Sequence, residues 1–438
     1  MRNKVQVGVV LAAMILVAAC GGEGTAPAAD VSGTPSIDLA ALTGEITFLT
    51  NRTDLVTDGT MKKYAQEFNR TYPNVTVKFE GITDYEGDVK TRMKTENYGD
   101  VLLIPNVIPQ SDYPKYFESL GTSAEIGKKY QYTSKADVYG KVYGIPGFSS
   151  ANGLVYNKAV WSKAGITRWP RTPGEFLADL QAIKDKTGAI PYYTNYKDGW
   201  PLTQWTSVVG SPSCDAWAND KLAASSNPWM AGSDLNIGDS LLFDIVKRKL
   251  SENDPTTTNW EASKGRLATG KIASMWLGSW AIVQMRDAAK KAGKDPAIIG
   301  YMPFPAQVNG KFCAMVFPDY QYAINVHSDN KIAARAWLTW LVDKSGFAES
   351  NQEISSLRGA PLPNVLKPYS AAGVHLVELS QRDSGKVNAI DKISTVGLAA
   401  PHYRRHLIDI ARGASGGSLN GVFSGLATKW ADAMKMAE

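Results

Sequence analysis

Short apolar strands and amphipathic helices alternate along almost the whole of this chain. A strand is predicted at residues 45–50, and the helix predicted after it, at residues 60–72, places its apolar residues on one face at helical spacing. The same order continues to a final helix predicted at residues 418–435. Alternating strands and helices are typical of an α/β protein, and this pattern constrains the fold more than any single motif does.

Several of these elements carry their own boundary signals. Thr172 and Glu175 form a capping box with proline at the first helical position, Gly188 ends that helix, and Gly270 precedes a strand. The further predicted elements are strands at residues 75–79, 100–105 and 271–276 and helices at residues 84–96, 241–246 and 332–341. These boundaries agree with the α/β prediction.

Length, composition and charge narrow the class of protein. The chain has 438 residues, of which 44% are hydrophobic and 20% charged, as in an ordinary globular protein. A folded part of about 400 residues is too long for one compact core, so we expect two lobes. The net charge of +5 falls by two to +3 if Arg2 and Lys4 are removed with a targeting segment. Such a weak positive charge argues against nucleic acid as a partner.

The N-terminus has the layout of a secretory signal over residues 1–20. Arg2 and Lys4 give it a positive start, and a mostly apolar run, too short for a membrane span, leads to small residues before Cys20. Residues 17–20, Val-Ala-Ala-Cys, resemble the bacterial lipobox, with valine where leucine is usual. The resemblance implies that Cys20 is lipidated and attaches the chain to a membrane surface. The alternative is an ordinary cleaved signal with an incidental cysteine.

Residues 21–44 are predicted to be a flexible tether. They are rich in Gly, Ala, Pro and Thr, a composition that does not bury a core. No second apolar run is long enough to cross a bilayer. We therefore expect a folded part that works at the extracellular face of the cell membrane and remains free to swing.

Seven short segments in the body of the chain share their order and spacing with one known family. They are YPNVTV (72–77), GDVL (99–102), YGIP (143–146), GLVYNK (153–158), GKIASMW (270–276), GSW (278–280) and GYMPFP (300–305). Together they resemble the extracellular solute-binding proteins of bacterial ABC importers, in the carbohydrate group that includes maltose-binding protein. The resemblance covers the chain from about residue 45 to its end.

This resemblance implies a two-lobed fold of the type II periplasmic-binding-protein class, in which each lobe is a sheet flanked by helices. The implied N-lobe comprises residues 45–149 and 303–357, and the implied C-lobe residues 150–302 and 358–438. Hinge crossings are expected at residues 146–153 and 303–305. Thin crossings let two rigid lobes close on a ligand. The implied function is capture of a sugar or oligosaccharide in the interlobe cleft and its delivery to the membrane subunits of an ABC importer.

A sugar site needs two kinds of side chain. Flat aromatic rings bury the C–H faces of a sugar, and planar polar groups bond its hydroxyls in fixed directions. The candidates lie after predicted strands or at expected crossings: Asn51, Arg52, Asn106, Ser150, Asn152, Trp200, Trp205, Ser279, Trp280, Asp319, Tyr320 and Arg358. Trp280 leads because it follows a Gly-Ser turn at a strand end, where the family often presents an aromatic residue. The structural alternatives are a solvated loop for the polar residues, the core for the tryptophans and a salt bridge for Arg358.

The cysteines leave two alternatives open. If Cys20 is lipidated, Cys214 and Cys313 remain, and an even remainder in an oxidising compartment suggests a disulfide. The implied domain boundaries, however, place these two cysteines in different lobes, where a bridge would oppose closure. Two isolated thiols are the other interpretation.

The main rival class is a secreted carbohydrate-active enzyme, such as a glycosidase or a polysaccharide lyase. A glycosidase needs two carboxylates at a set separation, and no motif points to such a pair. His402 and His406 are four residues apart, but Arg404 and Arg405 lie between them, so we expect a cationic surface rather than a zinc site. We expect no nucleophile elbow, and no phosphate loop or dinucleotide fingerprint occurs.

We therefore expect no enzymatic activity, metal or cofactor. The expected partners are a small carbohydrate, the importer and, through the lipid anchor, the membrane, with the protein itself a monomer. A third interpretation is a solute-binding sensor or adhesin that feeds no importer, since a tether and two lobes fit that role equally well.

Overall fold

The computed structural model describes residues 41–398 and 400–437. The predicted signal, Cys20 and nearly all of the predicted tether lie outside the described residues. The strands are β1 (Thr43–Thr50), β2 (Asn74–Gly81), β3 (Val101–Leu103), β4 (Gly121–Thr122), β5 (Asp137–Val138), β6 (Lys141–Val142), β7 (Ile145–Pro146), β8 (Ser149–Asn157), β9 (Ser274–Gly278), β10 (Ile299–Met302), β11 (Gln307–Val308), β12 (Lys311–Pro318), β13 (Gln321–Ile324) and β14 (His375–Glu378).

Helices precede or follow most of these strands, so the α/β prediction is confirmed. They are α1 (Thr53–Thr57), α2 (Thr60–Phe68), α3 (Tyr85–Arg92), α4 (Tyr113–Tyr116), α5 (Ser123–Lys129), α6 (Lys158–Lys163), α7 (Pro173–Thr187), α8 (Trp200–Thr203), α9 (Ala218–Ala224), α10 (Asp234–Lys247), α11 (Trp260–Ala268), α12 (Ala281–Lys291), α13 (Lys331–Asp343), α14 (Phe347–Ser350), α15 (Lys367–Ala371), α16 (Ser384–Ser394), α17 (His402–Ala411) and α18 (Leu419–Ala437). None of these helices combines the length and the apolar character needed to cross a membrane.

The N-cap, the proline at the first helical position and the glycine stop predicted for α7 are confirmed, whereas the second half of the capping box is not formed, because the Glu175 carboxylate accepts the backbone N–H of Arg171 at 2.9 Å instead of that of Thr172. The Thr172 side chain accepts a hydrogen bond from the backbone N–H of Glu175 at 3.0 Å, and Pro173 occupies the first helical position. Gly188 ends the helix in the left-handed conformation, with φ at 71°, which glycine adopts without the steric cost that other residues have.

The first lobe is built on a sheet with strand order β2-β1-β3-β13-β7. β1 pairs in parallel with β2 and β3, whereas β13 runs antiparallel to β3 and β7. Trp337 of α13 contacts Phe48 of β1, Phe79 of β2 and Phe68 of α2. These aromatic contacts join helices and sheet into one core, because large rings bury more apolar area than any other side chain.

The second lobe is built around β8 and β12. β8 pairs antiparallel with β9, β10 and β12, and β14 runs parallel to β12. Helices cover this sheet and form two hydrophobic cores with it. The larger core buries Leu180 of α7, Leu242 of α10, Leu407 of α17 and Trp430 of α18. The smaller core buries Leu267 of α11, Met285 of α12 and Tyr369 of α15. β8 is therefore buried almost throughout and gives the lobe a rigid centre.

In the described part, the chain passes between the two sheets at three places. The first passage, at Gly147 and Phe148, joins β7 to β8. A Cβ on Gly147 would lie 2.6 Å from the Tyr322 hydroxyl, so this passage requires glycine. The second passage joins β12 to β13, and the third follows α14, where Ile354 pairs with Ser149 of β8.

The predicted hinge crossing at residues 303–305 is wrong. β12 pairs with β8 and β14, so residues 311–318 belong to the second sheet and not to the predicted first-lobe segment 303–357. The crossing falls instead at Asp319 and Tyr320. The prediction failed because the sheet that a strand joins depends on distant pairing partners, which local sequence does not reveal.

Cys214 and Cys313 form a disulfide, with 5.4 Å between their Cα atoms. The expectation that they lie in different lobes is wrong for the reason just given: Cys313 lies on β12, inside the second lobe. The bridge therefore fixes the segment before α9 to the sheet without linking the lobes. His375 of β14 lies beside it, with its Nδ1 atom 3.6 Å from the sulfur of Cys214.

Candidate functional site

Three tryptophans from separate segments of the second lobe form what we call the aromatic wall. The ring centroids of Trp200 and Trp260 are 4.8 Å apart, those of Trp200 and Trp280 5.8 Å, and those of Trp260 and Trp280 6.0 Å. Trp260 is buried and supports the other two, whereas Trp200 is 36% exposed and Trp280 is partly exposed. Two accessible rings on a buried third offer a surface on which a flat apolar face can stack.

Local backbone features place these rings. Trp280 follows β9 directly and precedes α12, and a Cβ on Gly278 would lie 2.4 Å from its ring nitrogen. The Trp260 backbone N–H donates to the Asp198 carboxylate at 2.8 Å, which ties α11 to the segment before α8. The missing side chain at Gly278 is therefore part of what lets the Trp280 ring fold back on its own strand.

The first lobe contributes a network of polar side chains, which we call the polar wall: Glu86, Asn106, Lys135 and Tyr320. One Glu86 oxygen accepts hydrogen bonds from the backbone N–H and the side-chain amide of Asn106, each at 3.1 Å, and from the Tyr320 hydroxyl at 2.6 Å. The other accepts the Val107 N–H at 3.2 Å. Lys135 donates to the amide oxygen of Asn106 at 2.7 Å. The network holds amide, ammonium and phenol groups in fixed directions.

The surroundings of Glu86 and Lys135 in the polar wall change the pKa of each side chain. Burial raises the pKa of Glu86, but the hydrogen bonds from Tyr320 and Asn106 outweigh it, so the pKa is lowered overall and the carboxylate stays ionised. Partial burial lowers the pKa of the Lys135 ammonium, and the nearby carboxylates of Asp319 and Glu86 oppose that change. The polar wall therefore contains one acidic group, Glu86, and one basic group, Lys135, and each is hydrogen-bonded to the Asn106 side chain.

Asp319 lies at the second crossing, directly before Tyr320 of the polar wall. Its side chain is open to solvent, yet protein surrounds its other sides, and this desolvation raises the pKa of its carboxyl against the effect of Lys135 and Arg52. Arg52, in the loop after β1, donates to the amide oxygen of Asn351 at 2.7 Å. Asn351 begins the third crossing, so the charged groups of the first lobe extend as far as the hinge.

At the hinge, two serine hydroxyls are hydrogen-bonded to the same carboxyl group. Ser150 of β8 and Ser279, which directly precedes Trp280, both donate to the buried carboxyl group of Glu353, each at 3.0 Å. Glu353 lies on the third crossing and is 3% exposed. The aromatic wall, the first crossing and the third crossing therefore meet at one carboxyl group.

Comparison with known proteins identifies the family and the fold of the chain. The family of bacterial extracellular solute-binding proteins matches the chain over residues 53–346. This chain belongs to that family. The two-lobed fold implied by the sequence is confirmed, because solved structures of solute-binding proteins share the fold of this one over nearly its whole length.

Three relatives illustrate the similarity of this solute-binding protein. BlMnBP1, a binding protein of an ABC transporter from Bifidobacterium animalis subsp. lactis, solved with mannobiose, is 30% identical, with a TM-score of 0.78, covering 92% of this chain and 98% of its own. The diacetylchitobiose-binding protein DasA of Streptomyces coelicolor is 28% identical over 85% of this chain and 88% of its own. The multiple sugar-binding protein of Streptococcus mutans is 25% identical over 70% and 72%.

Several residues predicted for the ligand site of the solute-binding protein belong to one of the two walls or to the hinge. Trp200 and Trp280 form the accessible part of the aromatic wall. Asn106 and Tyr320 belong to the polar wall, and Asp319 lies between that wall and the hinge. Three further predicted residues lie beside them: Arg52, half-buried Asn51 next to it, and half-buried Ser150 on the hinge.

Three of the predicted ligand residues are buried inside the second lobe. Trp205 is 2% exposed, donates its ring N–H to the Tyr192 hydroxyl at 3.1 Å and packs on Trp276, so it belongs to the core. The amide of Asn152 is buried and bonds to Ser207, Ser211 and the backbone N–H of Met315 inside the second lobe. Ser279 is fully buried and donates its hydroxyl to the carboxyl group of Glu353.

Arg358 lies apart from the other candidates. Its side chain donates to the carbonyl of Gly127 at 2.5 Å, and its backbone N–H donates to that of Lys129. Both carbonyls belong to α5 of the first lobe, so the chain still contacts that lobe at Arg358 after Ile354 has paired with β8. Neither the predicted ligand contact nor the alternative salt bridge describes these bonds.

The prediction missed four residues of this site: Glu86, Lys135, Trp260 and Glu353. Glu86 lies in the first turn of α3, where an acidic residue also fits a purely helical role. Lys135 and Glu353 lie in segments without a motif. Among these four residues, only Trp260 had a usable signal in the sequence, which is the helix cap Asn259 directly before it. The Asn259 side chain accepts the Ala262 N–H.

A separate open groove of about 640 Å³ lies on the second lobe, between the segment after α6 and α15. It shares no residue with either wall. Its two accessible rings, Tyr156 and Trp169, are bonded to each other at 3.2 Å and so fix a surface of the lobe. The groove is therefore distinct from both walls.

Proposed function

We propose that this solute-binding protein captures an oligosaccharide between its aromatic wall and its polar wall and delivers it to an ABC importer. The observation that carries the proposal is the pairing of stacked, partly exposed tryptophans in one lobe with a fixed polar network in the other. Rings take the C–H faces of a sugar, and directed polar groups take its hydroxyls. Neither wall alone offers both kinds of contact.

The charges of the cleft favour an uncharged ligand. Arg52 and Lys135 are basic, and Glu86 and Asp319 are acidic, so the proposed site holds two groups of each sign. A charged ligand would leave one member of this set without compensation, and burying an unpaired charge is costly. A neutral sugar instead exchanges hydrogen bonds with the set and leaves its balance unchanged.

Manno-oligosaccharides and diacetylchitobiose are the first ligands to test. The relative at 30% identity was solved in complex with mannobiose, and the relative at 28% identity is named for diacetylchitobiose. Both are short, uncharged oligosaccharides, which agrees with the charge argument. The relative named as a multiple sugar-binding protein, 25% identical, supports including other short oligosaccharides in the same panel.

The cellular setting is part of the same proposal. Residues 1–20 direct secretion, lipidated Cys20 holds the protein at the extracellular face of the membrane, and residues 21–44 act as the tether. The protein works as a monomer that binds its ligand without catalysis. Lobe closure then presents the loaded form to the membrane subunits of the importer, because a closed shape is stabilised only by a ligand that fits both walls.

Titration calorimetry with mannobiose, mannotriose and diacetylchitobiose tests the proposal. We expect at least one of these sugars to bind, and Trp280→Ala to weaken binding by about tenfold, since stacking contributes about 0.5–1.5 kcal/mol beyond area burial. Trp217→Ala is the matched control, because Trp217 is 54% exposed and contacts Arg382 rather than either wall. Binding that survives Trp280→Ala unchanged, or a protein that binds no sugar in an extended panel, would contradict the proposal.

A further inference from the structure

Glu353 occupies a position in the hinge that the described mechanism of binding does not use. It lies between α14 of the first lobe and the return of the chain to the second lobe. One of its carboxyl oxygens accepts two hydroxyl hydrogen bonds, from Ser150 and from Ser279. Ser279 in turn accepts the backbone N–H of Ala151 at 3.1 Å. This carboxyl group therefore receives two donors from parts of the second lobe that are far apart in sequence.

The neighbours of Glu353 connect it with both lobes. Ile354 and Ser149 exchange two backbone hydrogen bonds, of 2.8 and 2.9 Å, which fix the third crossing to the start of β8. Two residues before Glu353, Asn351 accepts the hydrogen bond from Arg52 of the first lobe. A rotation of the lobes about their crossings therefore has to pass through the segment that holds this carboxyl group.

We infer that Glu353 is a positioning residue of the ligand site, whose buried carboxyl group ties the Trp280 loop to the hinge through the hydroxyls of Ser150 and Ser279. The inference rests on the proposed function for its ligand readout. Glu353 itself does not contact the ligand. Its effect passes through Ser279 to the adjacent Trp280, whose ring belongs to the aromatic wall.

The surroundings of Glu353 explain why it stays protonated. Burial raises the pKa of its carboxyl to about 8, the two serine hydroxyls oppose that change, and the negative charge of Asp319 adds to it. Tyr301 of β10 faces the same region and donates its hydroxyl to the carbonyls of Ala151 and Leu277, each at 2.8 Å. Arg52 reaches this segment through Asn351.

The sign of the pH effect follows from this raised pKa. In a state where the carboxyl is exposed, it ionises near its ordinary value of 4.5, whereas in the hydrogen-bonded hinge it keeps its proton to about pH 8. The hinge arrangement is therefore fully favoured below about pH 4.5 and is progressively lost as the pH rises through about 8. Ligand affinity should fall over the same range if this arrangement belongs to the binding-competent form.

The test compares sugar affinity at pH 6 and pH 9 in the full protein and in variants. We expect the dissociation constant of the unchanged protein to rise about fivefold or more, the lower end of ordinary coupling between sites. Glu353→Gln, which keeps the shape and the acceptor oxygen but not the titration, should bind as tightly at pH 9 as at pH 6. Ser279→Ala should bind weakly at both. Glu349→Gln, an exposed glutamate four residues earlier, should behave as the unchanged protein.

A second readout separates this inference from the proposed function. Hydrogen exchange of residues 277–282 in the ligand-free protein should quicken between pH 6 and pH 9, beyond the intrinsic chemical rate, and Glu353→Gln should abolish that extra change. If no sugar binds but this pattern is found, the proposed function fails and the hinge role of Glu353 stands. Equal pH dependence in the unchanged protein and in Glu353→Gln, or none in either, would overturn the inference.

Discussion

The substitution Gly278→Ala should weaken sugar binding while leaving the second lobe folded. A Cβ at this position would lie 2.4 Å from the Nε1 atom and 2.5 Å from the Cδ1 atom of Trp280. Ordinary contact between such atoms needs about 3.5 Å, so the ring has to retreat by about 1 Å. The Trp280 ring is partly exposed and has room to move, so the added methyl group displaces it rather than breaking the core.

The magnitude follows from the contact that this displacement removes. Stacking on an aromatic ring contributes about 0.5–1.5 kcal/mol, which corresponds to about a two- to twelvefold rise in the dissociation constant. Titration calorimetry measures that constant, and thermal unfolding followed by circular dichroism checks the fold. Gly425→Ala, in the interior of α18 where an added Cβ meets no atom within 4 Å, is the control and should bind normally with slightly higher stability. An affinity for Gly278→Ala equal to that of the control would refute the proposed role of the Trp280 ring position.

Two further predictions concern stability rather than binding. Replacing both Cys214 and Cys313 by alanine opens a loop with a sequence separation of 99 residues and should lower the free energy of unfolding by about 4 kcal/mol in urea titrations. Sugar affinity should not change, since the bridge lies within one lobe, and a large loss of affinity would contradict that placement. Asp239→Asn removes the charge that faces the fully buried Arg404 guanidinium at 3.0 Å and should cost about 3–5 kcal/mol. A loss below about 1 kcal/mol would show that the hydrogen bonds of Asp239 with Trp229 and Tyr403, and not its charge, hold this cluster.

The sequence predicted most reliably what short-range patterns control. The α/β alternation, the caps of α7 and the position of Trp280 after a Gly-Ser turn all depend on residues close together in the chain. Pairing between strands that are far apart in the chain was the main source of error in the predicted lobe boundaries. β12 reads as a buried strand in either lobe, and only its pairing with β8 and β14 decides between them.

Local sequence patterns also did not predict which of the candidate residues are buried. Trp200 and Trp205 lie five residues apart in one polar-aromatic stretch, yet the first is 36% exposed and the second 2%. Glu353 gives a stronger example, because its two hydrogen-bond partners are 203 and 74 residues away in the chain. A glutamate in a segment without a motif carries no local sign that a hinge will close around it.

The two walls of the proposed site are anchored on different crossings, and this arrangement links binding with lobe movement. The polar wall reaches the second crossing through Tyr320, which donates to Glu86. The aromatic wall reaches the third crossing through Ser279 and Glu353. In the proposed mechanism, a rotation about the crossings therefore moves the anchors of both walls at once. A ligand that stabilises one hinge geometry also fixes the distance between rings and polar groups, so sugars of different length should favour different degrees of closure.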